Sequence, residues 1–534
     1  MRMMTEWLTR LLLALLVFAP LLSSAAPVEA TPTPTAYYTV TELGSLDNGS
    51  SFSYGINDDG VAVGISTFTY KQYISSRRAV RWQGGQPVNL GTLSGVGSGA
   101  NAINARGDIV GSGEIAGRET HAMLVDARGT HDLGTLGGPY SEATAINANG
   151  VIVGGSDLSD AMGDLGSFVY RDGTMTALGT YNGARIYGPT INDNDQIAAT
   201  TSDNRLLLID ANGTRDLGVG QAKAINNRGT IVGSNVNNQS RAFSYRDGRL
   251  TDLGTLPGYA QSDALDVNEA GQTVGSVNDF ATSRDNRAVF FGGSAVLDLN
   301  TLIPRDSGWT LRIAHGINNR GQIVGDGLHN GQFRAFLLTP RFPDVAPNSP
   351  YFDAIVALTN RGIIQGYADG RFGPADLVLR AQSAALIARA AGWDAEDWPD
   401  ATFPDRGPID DDLWRNVRTL AHYGVAQGYA DGTYDPTGPV LHQQAILFIT
   451  RALVEKGFWT LADDTAPYPN LPNGTARERA DRRAIATYVR EAGAIPDRPV
   501  GQPWADWSTP ASRGWYAQVL YQALATLPST QPIP

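Results

Sequence analysis

The segment Ala102-Ile-Asn-Ala-Arg-Gly-Asp-Ile-Val-Gly111 decides the fold of the first two thirds of the chain. Asn104 and Gly107 suit a type I turn followed by a residue in the left-handed conformation, which is a common tight hairpin with a bulge. The residues on both sides alternate in character as those of strands do. The segment therefore predicts a β-hairpin whose turn begins at Asn104.

The same phrase occurs seven times between residues 37 and 340. Its asparagines recur about every 43 residues, a period long enough for a four-stranded sheet and its turns. A third strand follows each hairpin, as in Arg241–Tyr245, and we assign the fourth to a Leu-Gly-Thr-Leu phrase such as Leu90–Leu93. We expect the turn asparagines and glycines to be structural. The seven asparagines are Asn57, Asn104, Asn147, Asn192, Asn226, Asn268 and Asn318.

The two ends of the repeat array predict how it closes. The last unit stops after its third strand, at Pro340, whereas an additional fourth-strand phrase, Thr39–Gly44, precedes the first hairpin. If that strand completes the seventh sheet, the array becomes a ring without an unpaired edge. We therefore predict an all-β seven-bladed propeller of four-stranded repeats, with an open β-solenoid as the alternative. Asp195 replaces the turn glycine of the fourth unit and Ala199 its strand glycine, so we expect that blade to be irregular.

These repeats also resemble a known group of sequences. The phrases Leu-Gly-Thr-Leu, Ile-Asn-x-x-Gly-x-Ile-Val-Gly and Arg-Ala-Phe extend over about 300 residues and are similar to those of the bacterial extracellular HAF-repeat family. That resemblance implies an extracellular repeat protein and no particular reaction.

Helical periodicity replaces the hairpins after Pro340. Asp353–Gly362 carries apolar residues on one side of a helix that ends at a glycine. A turn-rich loop, Gly366–Pro374, then precedes a second helix over Leu379–Trp393, and the loop recurs as Gly428–Pro436. The sequence thus predicts repeated helix–loop–helix units in the last third of the chain.

These units resemble S-layer homology (SLH) motifs, which we place at residues 342–396, 400–458 and, in a degenerate form, 465–527. The two Gly-Tyr-Ala-Asp-Gly loops and the Phe-Pro-Asp openings at Phe342 and Phe403 are the most specific features. The resemblance implies an all-α three-motif helical bundle. It also implies non-covalent binding to cell-wall polysaccharide that often bears a ketal-linked pyruvate.

The resemblance implies the candidate binding residues as well. The family's Thr-Arg-Ala-Glu reads Leu-Arg-Ala-Gln at 379–382, and the arginine fork suits a carboxylate. The second copy departs from the pattern with a histidine, and the lost Thr and Glu remove the capping box of both helices, whose starts need other partners. Helix capping by the aspartates and core packing by the tryptophans are the structural alternatives. The candidate polysaccharide-binding residues are Arg380, Arg513, Asp344, Asp405, His442 and Trp414.

The first thirty residues predict export. Arg2 and Arg10 precede an apolar run, Leu11–Leu22, and small residues lead up to Ala30, which is the order of a secretory signal peptide. The run is short of the ~20 residues that a membrane-spanning helix needs, and a retained anchor is the weaker alternative. Residues 31–36 form a Thr/Pro leader. With no later segment of spanning length, we predict a protein without a membrane span after signal cleavage.

Composition excludes several kinds of chemistry. The net charge of −12 and the pI near 5.0 oppose broad contact with nucleic acid or anionic lipid, since both attract basic proteins. The absence of cysteine excludes disulfides and thiolate metal sites. The six histidines share no ligand spacing, and the sequence contains no His-Glu-x-x-His, no Gly-x-Ser-x-Gly and no phosphate-cradling loop. We expect no catalytic residue, no metal and no cofactor.

Together these patterns predict a multidomain, secreted protein at the cell surface or cell wall, associated with an S-layer. The SLH motifs would attach it to envelope polysaccharide, and the propeller would bind an unknown ligand or partner or serve a structural role. The alternative is a surface-anchored polysaccharide hydrolase or lyase with the propeller as its catalytic domain, because carboxylates are plentiful. The near-uniform repeats favour binding. Only residues 66–78, 157–166 and 278–286 stand out as long loops.

Overall fold

The structure is a computed structural model. The described residues exclude the predicted signal peptide, residues 1–30, and most of the leader. They also exclude Trp504 and Trp507. The described residues are 36–69, 75–116, 119–161, 164–235, 240–279, 284–292, 295–399, 403–463, 474–497 and 509–527.

The chain from Tyr38 to Pro340 forms seven antiparallel sheets, which are the blades of a β-propeller. After the N-terminal strand β1 (Tyr38–Leu43), the strands of blades 1 to 3 are β2 (Ser51–Ile56), β3 (Ala62–Thr69), β4 (Ser75–Gln83) and β5 (Gln86–Asn89); β6 (Ser98–Ile103), β7 (Ile109–Glu114), β8 (Thr120–Asp126) and β9 (Gly129–Asp132); and β10 (Ser141–Ile146), β11 (Ile152–Asp157), β12 (Leu165–Arg171) and β13 (Thr174–Ala177).

The remaining four blades follow the same order. Their strands are β14 (Thr180–Tyr181), β15 (Ala184–Ile191), β16 (Ile197–Thr201), β17 (Arg205–Asp210) and β18 (Gly213–Val219) in blade 4; β19 (Gln221–Ile225), β20 (Ile231–Asn235), β21 (Arg241–Arg246) and β22 (Arg249–Gly254) in blade 5; β23 (Gln261–Val267), β24 (Thr273–Asp279), β25 (Arg284–Phe291) and β26 (Val296–Asp298) in blade 6; and β27 (Trp309–Ile317), β28 (Ile323–His329) and β29 (Gln332–Pro340) in blade 7.

The N-terminal strand closes the ring. β1 pairs with β29 in antiparallel register, with Tyr38 opposite Pro340 and Leu43 opposite Ala335, and so becomes the fourth strand of blade 7. The predicted closure and the seven-bladed propeller are confirmed, and the solenoid alternative is wrong. With β1, blade 7 is a four-stranded sheet in the order β1-β29-β28-β27.

The seven turn asparagines form a closed ring of hydrogen bonds, which we name the asparagine ring. Each side-chain Nδ2 donates to the main-chain oxygen of the next asparagine at 2.9 to 3.3 Å. Asn318 donates to Asn57 at 3.0 Å and completes the circle. The Oδ1 atoms accept from amides of their own turns, as Asn104 does from Arg106 and Asp108, both at 3.0 Å. The structural role expected of these residues is confirmed.

The turn survives in the fourth unit without its glycine. Gly107 has a φ of 86°, and Asp195 adopts the same left-handed region with a φ of 58°. The departure appears elsewhere, because blade 4 carries a fifth, two-residue strand, β14, on its inner edge. The expected irregularity is therefore confirmed, and it lies in the strand count.

The Leu-Gly-Thr-Leu phrase of blade 1 lies beyond the strand that it was expected to form. β5 ends at Asn89, and Leu90–Leu93 belongs to the connection into blade 2. Gly91 is left-handed there, with a φ of 82°, and its oxygen accepts a hydrogen bond from Ser98 Oγ at 2.6 Å. Leu90 and Leu93 pack into the core between the two blades. Their apolar character reflects burial between sheets, although the same apolar pattern is also typical of a strand.

The propeller core consists of layers between adjacent blades. Val63 and Ala79 of blade 1, for example, pack on Ile109 and Met123 of blade 2. The glycine of each Ile-Val-Gly strand permits close approach within a sheet. A Cβ atom on Gly154 would lie 2.1 Å from a main-chain oxygen of the neighbouring strand, so no larger residue fits without movement.

Six α-helices follow in the described part of the last third. Their closest pairs are α2 with α3, α4 with α5 and α1 with α6. Among the described residues, no helix has both the length and the apolarity needed to cross a bilayer. The helices are α1 (Phe352–Asn360), α2 (Arg380–Ala391), α3 (Asp411–His422), α4 (His442–Glu455), α5 (Ala476–Ala492) and α6 (Arg513–Ala525).

The helical part joins the propeller at the face that carries the asparagine ring. Leu338 of β29 lies opposite Ile323, the first residue of β28 after the turn, so the chain leaves the propeller at that end. Tyr37 fastens the junction, since its hydroxyl donates to the oxygen of Phe342 at 2.9 Å and its ring meets Phe352 edge-on at 4.7 Å. Blades 6 and 7 and the helices share one continuous core.

Candidate functional site

Three short segments meet at the centre of the helical part. The amide of Val378 donates to Ala511 O at 3.0 Å, that of Ala511 to Val440 O at 2.8 Å, and that of Val440 to Val378 O at 2.8 Å. This closed triangle gathers the N-termini of α2, α4 and α6 around one axis. The first residue of each helix therefore faces a neighbouring segment. These first residues are Arg380, His442 and Arg513.

Two loops next to this axis have the same conformation. In Gly366–Pro374, the amide of Tyr367 donates to Arg371 O at 2.7 Å, and in Gly428–Pro436 the amide of Tyr429 donates to Thr433 O at 2.7 Å. A left-handed glycine follows the same aspartate in both. We name them the first and the second tyrosine loop.

The opening aspartates hold these loops. Asp344 accepts from the amides of Phe372 at 2.9 Å and Gly373 at 2.7 Å. Asp405 makes the equivalent pair of bonds in the second tyrosine loop, at 2.8 and 2.6 Å. Asp344 and Asp405 thus accept hydrogen bonds from loop amides, whereas the structural alternative predicted that they cap helices.

Arg513 at the start of α6 reaches into the first tyrosine loop. Its Nε donates to Phe372 O at 2.8 Å, and a terminal nitrogen donates to Gln365 O at 2.7 Å. The guanidinium carbon lies 4.6 Å from the ring centre of Tyr367. The residue is only 7 % exposed, and this burial lowers the pKa of the guanidinium.

Arg380 at the start of α2 does the same for the second tyrosine loop. Its Nε donates to Tyr434 O at 2.6 Å, and its guanidinium carbon lies 4.6 Å from the ring centre of Tyr429. Arg380 is 3 % exposed. Each arginine therefore contacts the loop of another helix–loop–helix unit, Arg380 the loop between α3 and α4 and Arg513 the loop between α1 and α2, an exchange that motif spacing does not reveal.

The two other candidates lie elsewhere. His442, the first residue of α4, is 8 % exposed and stacks on Trp515 with ring centres 3.8 Å apart. Trp414 lies on α3, half-buried against the helical core. The structure thus gathers Arg380, Arg513 and the two aspartates at the tyrosine loops and places His442 at the third helix start.

Glutamines replace part of the missing capping boxes. Gln382 Oε1 accepts from the amide of Leu379 at 3.1 Å, and Gln444 Oε1 accepts from that of Leu441 at 3.1 Å. In the third copy, Ser512 Oγ accepts from the amide of Trp515 at 3.2 Å. One orphan donor at each helix start is therefore satisfied.

Sequence reasoning did not single out the exposed tyrosines. Tyr367 and Tyr429 are 36 % and 38 % exposed, and each ring covers a buried guanidinium. Their shared position in the two Gly-Tyr-Ala-Asp-Gly loops is the signal that would have found them.

The propeller histidines of the last unit bind separate carboxylates. His315 Nε2 lies 2.7 Å from Asp326, and His329 Nδ1 lies 2.5 Å from Glu42. Within the described ranges, no three His, Asp or Glu side chains group as metal ligands.

The two tyrosine loops lie in segments that match a known domain. Residues 341–384 and 402–446 match the S-layer homology domain. These two SLH domains contain the tyrosine loops and the opening aspartates. A relative named "Cell surface protein", from Thermoanaerobacter kivui, is 30 % identical over 123 residues, which are 22 % of this chain and 16 % of that protein. The chain thus spans a small part of that relative's length.

A solved structure is similar to part of the chain. It is the crystal structure of TolB from Acinetobacter baumannii, with a TM-score of 0.30 and 13 % identity over 43 % of this chain and 63 % of that one. The propeller is established by its own strand pairing. The resemblance to HAF repeats stays a prediction.

Proposed function

We propose that this protein is exported to the cell surface, where its SLH domains bind envelope polysaccharide non-covalently and its propeller is displayed to bind a ligand or partner. The observation that carries the proposal is the pair of tyrosine loops: both lie within matched SLH domains, and each places an exposed ring above a buried arginine. The name of the Thermoanaerobacter kivui relative supports the surface location.

The chemistry of the tyrosine loops suits an anionic sugar. An exposed tyrosine ring offers an apolar face to sugar C–H groups, and the guanidinium below it supplies a permanent positive charge. The net charge of −12 makes the surrounding field unfavourable for an anion, so a ketal-linked pyruvate has to be recognised locally. Asp344 and Asp405 contribute by fixing the loops.

We further propose that residues 465–527 are a degenerate third SLH motif that completes a three-motif bundle. The hydrogen-bonded triangle at Val378, Val440 and Ala511 supports three equivalent units. His442 stands where the other two helix starts have arginine, and an imidazole lacks the forked donation of a guanidinium. The helix start at His442 is therefore expected to bind an anion most weakly of the three.

Sedimentation with purified cell-wall material tests the attachment. The intact chain is expected to co-sediment, and to lose that affinity once mild acid has removed pyruvate ketals. Tyr367→Ala combined with Tyr429→Ala should weaken binding at least tenfold, whereas Phe333→Ala, which removes an exposed propeller ring, should not. Sedimentation unchanged by the double variant would reject the tyrosine loops as the binding surface.

The propeller is proposed to bind without catalysis. The uniform turns and strands of its seven units support this, together with the lack of a catalytic motif. Incubation of the intact chain with envelope polysaccharides should release no reducing or unsaturated ends. Release of either product, retained after repurification, would favour the hydrolase or lyase alternative.

A further inference from the structure

A polar cavity of about 560 Å³ opens between blades 1, 2 and 3, within the volume range of small-molecule sites. Its wall includes Ser98, at the start of β6, and Glu114, at the end of β7. Both positions are at the ends of strands away from the asparagine ring. The cavity, which we name the blade 1–3 cleft, therefore opens on the face opposite to the helical part.

A central channel is lined by residues at and just before the turn asparagines of all seven blades, and its walls differ from unit to unit although the turns are uniform. The residue three positions before each turn asparagine lines the channel in six of the seven units, and its type is different every time. These residues are Tyr54, Asn101, Thr144, Lys223, Leu265 and His315. Folding alone does not require this variety, because the same hairpin forms in all units.

Two carboxylates in the blade 1–3 cleft are held in fixed positions. Glu114 Oε2 accepts from the amides of Gly97 at 2.9 Å and Val96 at 3.2 Å. Glu142 accepts from Asn101 Nδ2 at 2.8 Å and from the hydroxyl of Tyr140 at 2.5 Å. Each carboxylate oxygen has two lone pairs, so both groups keep capacity for a ligand donor.

The donors of the cleft are also in place. Arg77 is exposed at its wall, and no described residue forms a hydrogen bond or an ion pair with its guanidinium group. Burial, followed by the hydrogen bond to Glu142, raises the pKa of Tyr140, which therefore keeps its proton at neutral pH. Tyr54 adds a second half-buried ring.

We propose that the blade 1–3 cleft binds an uncharged saccharide. Glu114 and Glu142 would accept hydrogen bonds from its hydroxyl groups, and Arg77 would donate to its oxygens. The rings of Tyr54 and Tyr140 would pack on its C–H faces. Two carboxylates and one arginine give the cleft a negative balance, which disfavours a polyanion. Ile65 is the single residue with an aliphatic side chain in the described lining, which disfavours a lipid.

This inference rests on the proposed binding role of the propeller. Attachment to the wall is a separate property, because the tyrosine loops belong to the helical part. Variants that alter one surface and leave the other unchanged distinguish saccharide binding by the propeller from attachment to the wall.

Calorimetric titration of the intact chain with soluble tetrasaccharides tests the proposal. The probes are cellotetraose, mannotetraose, xylotetraose and chitotetraose, compared with tetragalacturonate as the anion and spermidine as the cation. At least one neutral tetrasaccharide should bind more tightly than both charged probes. Stronger binding of tetragalacturonate or spermidine, or no heat from any neutral probe at millimolar concentration, would overturn it.

Matched variants locate the site. Glu142→Gln should lower the affinity for that tetrasaccharide about tenfold or more, since a charge-assisted hydrogen bond is lost. Glu119→Gln, an exposed change in the neighbouring blade 2, should leave it unchanged. Arg77→Ala should also weaken binding and, as an exposed change, keeps the test valid if Glu142→Gln fails to fold.

The same variants separate the two proposals. Glu142→Gln should still sediment with cell-wall material, and Tyr367→Ala with Tyr429→Ala should still bind the tetrasaccharide. Equal affinity of Glu142→Gln and the unchanged chain for the tetrasaccharide would place the saccharide outside the cleft and overturn the inference.

Discussion

At the scale of single residues, Asn104 has a role that few side chains could take over. Its Oδ1 accepts two amides of its own turn, and its Nδ2 donates to Asn147 O at 3.1 Å in the next blade. Aspartate would keep the acceptor and lose the donor, and alanine would lose both. The residue therefore couples turn formation to contact between blades.

Asn104→Ala should lower the free energy of unfolding by about 1–3 kcal/mol, because buried amide and carbonyl groups lose their partners. Arg106→Ala is the matched control, since this side chain is exposed in the same turn and pairs with Asp108 on the surface. Urea unfolding followed by circular dichroism measures both. Equal stability of Asn104→Ala and the unchanged chain would mean that the ring contributes no net stabilisation.

Individual residues also mark how far sequence reasoning reaches. The turn asparagines were predictable because every bond within the turn follows from local chain geometry. The roles of Asp344 and Arg380 were not, since their partners lie 28 and 54 residues away. A motif identifies such residues without telling which loop they contact.

At the scale of elements, β1 closes the propeller, and its residues differ in burial. Leu43 is buried between blades 7 and 1, whereas Thr41 is exposed. Leu43→Ala should cost about 2–5 kcal/mol, as is usual for a cavity in a packed core. Thr41→Ala should change stability little.

Thermal unfolding of both β1 variants tests this prediction. A reduced midpoint only for Leu43→Ala is expected. A similar, small effect of the two substitutions would indicate that β1 contributes little to the closed ring.

The tyrosine loops give a second prediction at this scale. Asp405→Ala should expose the amides of Tyr434 and Asp435, because both bond to that carboxylate. Their hydrogen exchange should accelerate, and the amides of Phe372 and Gly373, held by Asp344, serve as the control within the same molecule. Protection unchanged at Tyr434 and Asp435 would mean that Asp405 does not hold the loop.

Strand and helix types were largely predictable, and some boundaries were not. The leucines of Leu90–Leu93 predict a strand, although these side chains fill the space between blades. The helix starts at Arg380 and Arg513 followed from the resemblance to SLH motifs, and the exchange of these arginines between helix–loop–helix units depends on packing around a common axis.

At the scale of the whole molecule, the helical part and the blade 1–3 cleft lie on opposite faces of the propeller. The helical part continues from Pro340 at the asparagine ring, and Tyr37 joins it to blade 7 through a shared core. The blade 1–3 cleft opens on the other face. A protein bound to the wall through its tyrosine loops would therefore leave the cleft accessible.

This arrangement was only partly predictable. Counting strands at both ends of the repeat array predicted the closed ring, because closure depends on chain connectivity. Which face carries the helices depends on the direction of β29 and on the shared core, and the sequence pattern contains no sign of the contact between Tyr37 and Phe352.

Amide hydrogen exchange of the intact chain, with and without purified pyruvylated wall polysaccharide, tests this arrangement most directly. Slower exchange is expected in the two tyrosine loops, 366–374 and 428–436, with no change at the residues of the blade 1–3 cleft. Protection of the cleft, or unchanged exchange in both loops while the polymer is bound, would contradict attachment through the SLH domains with an open propeller face.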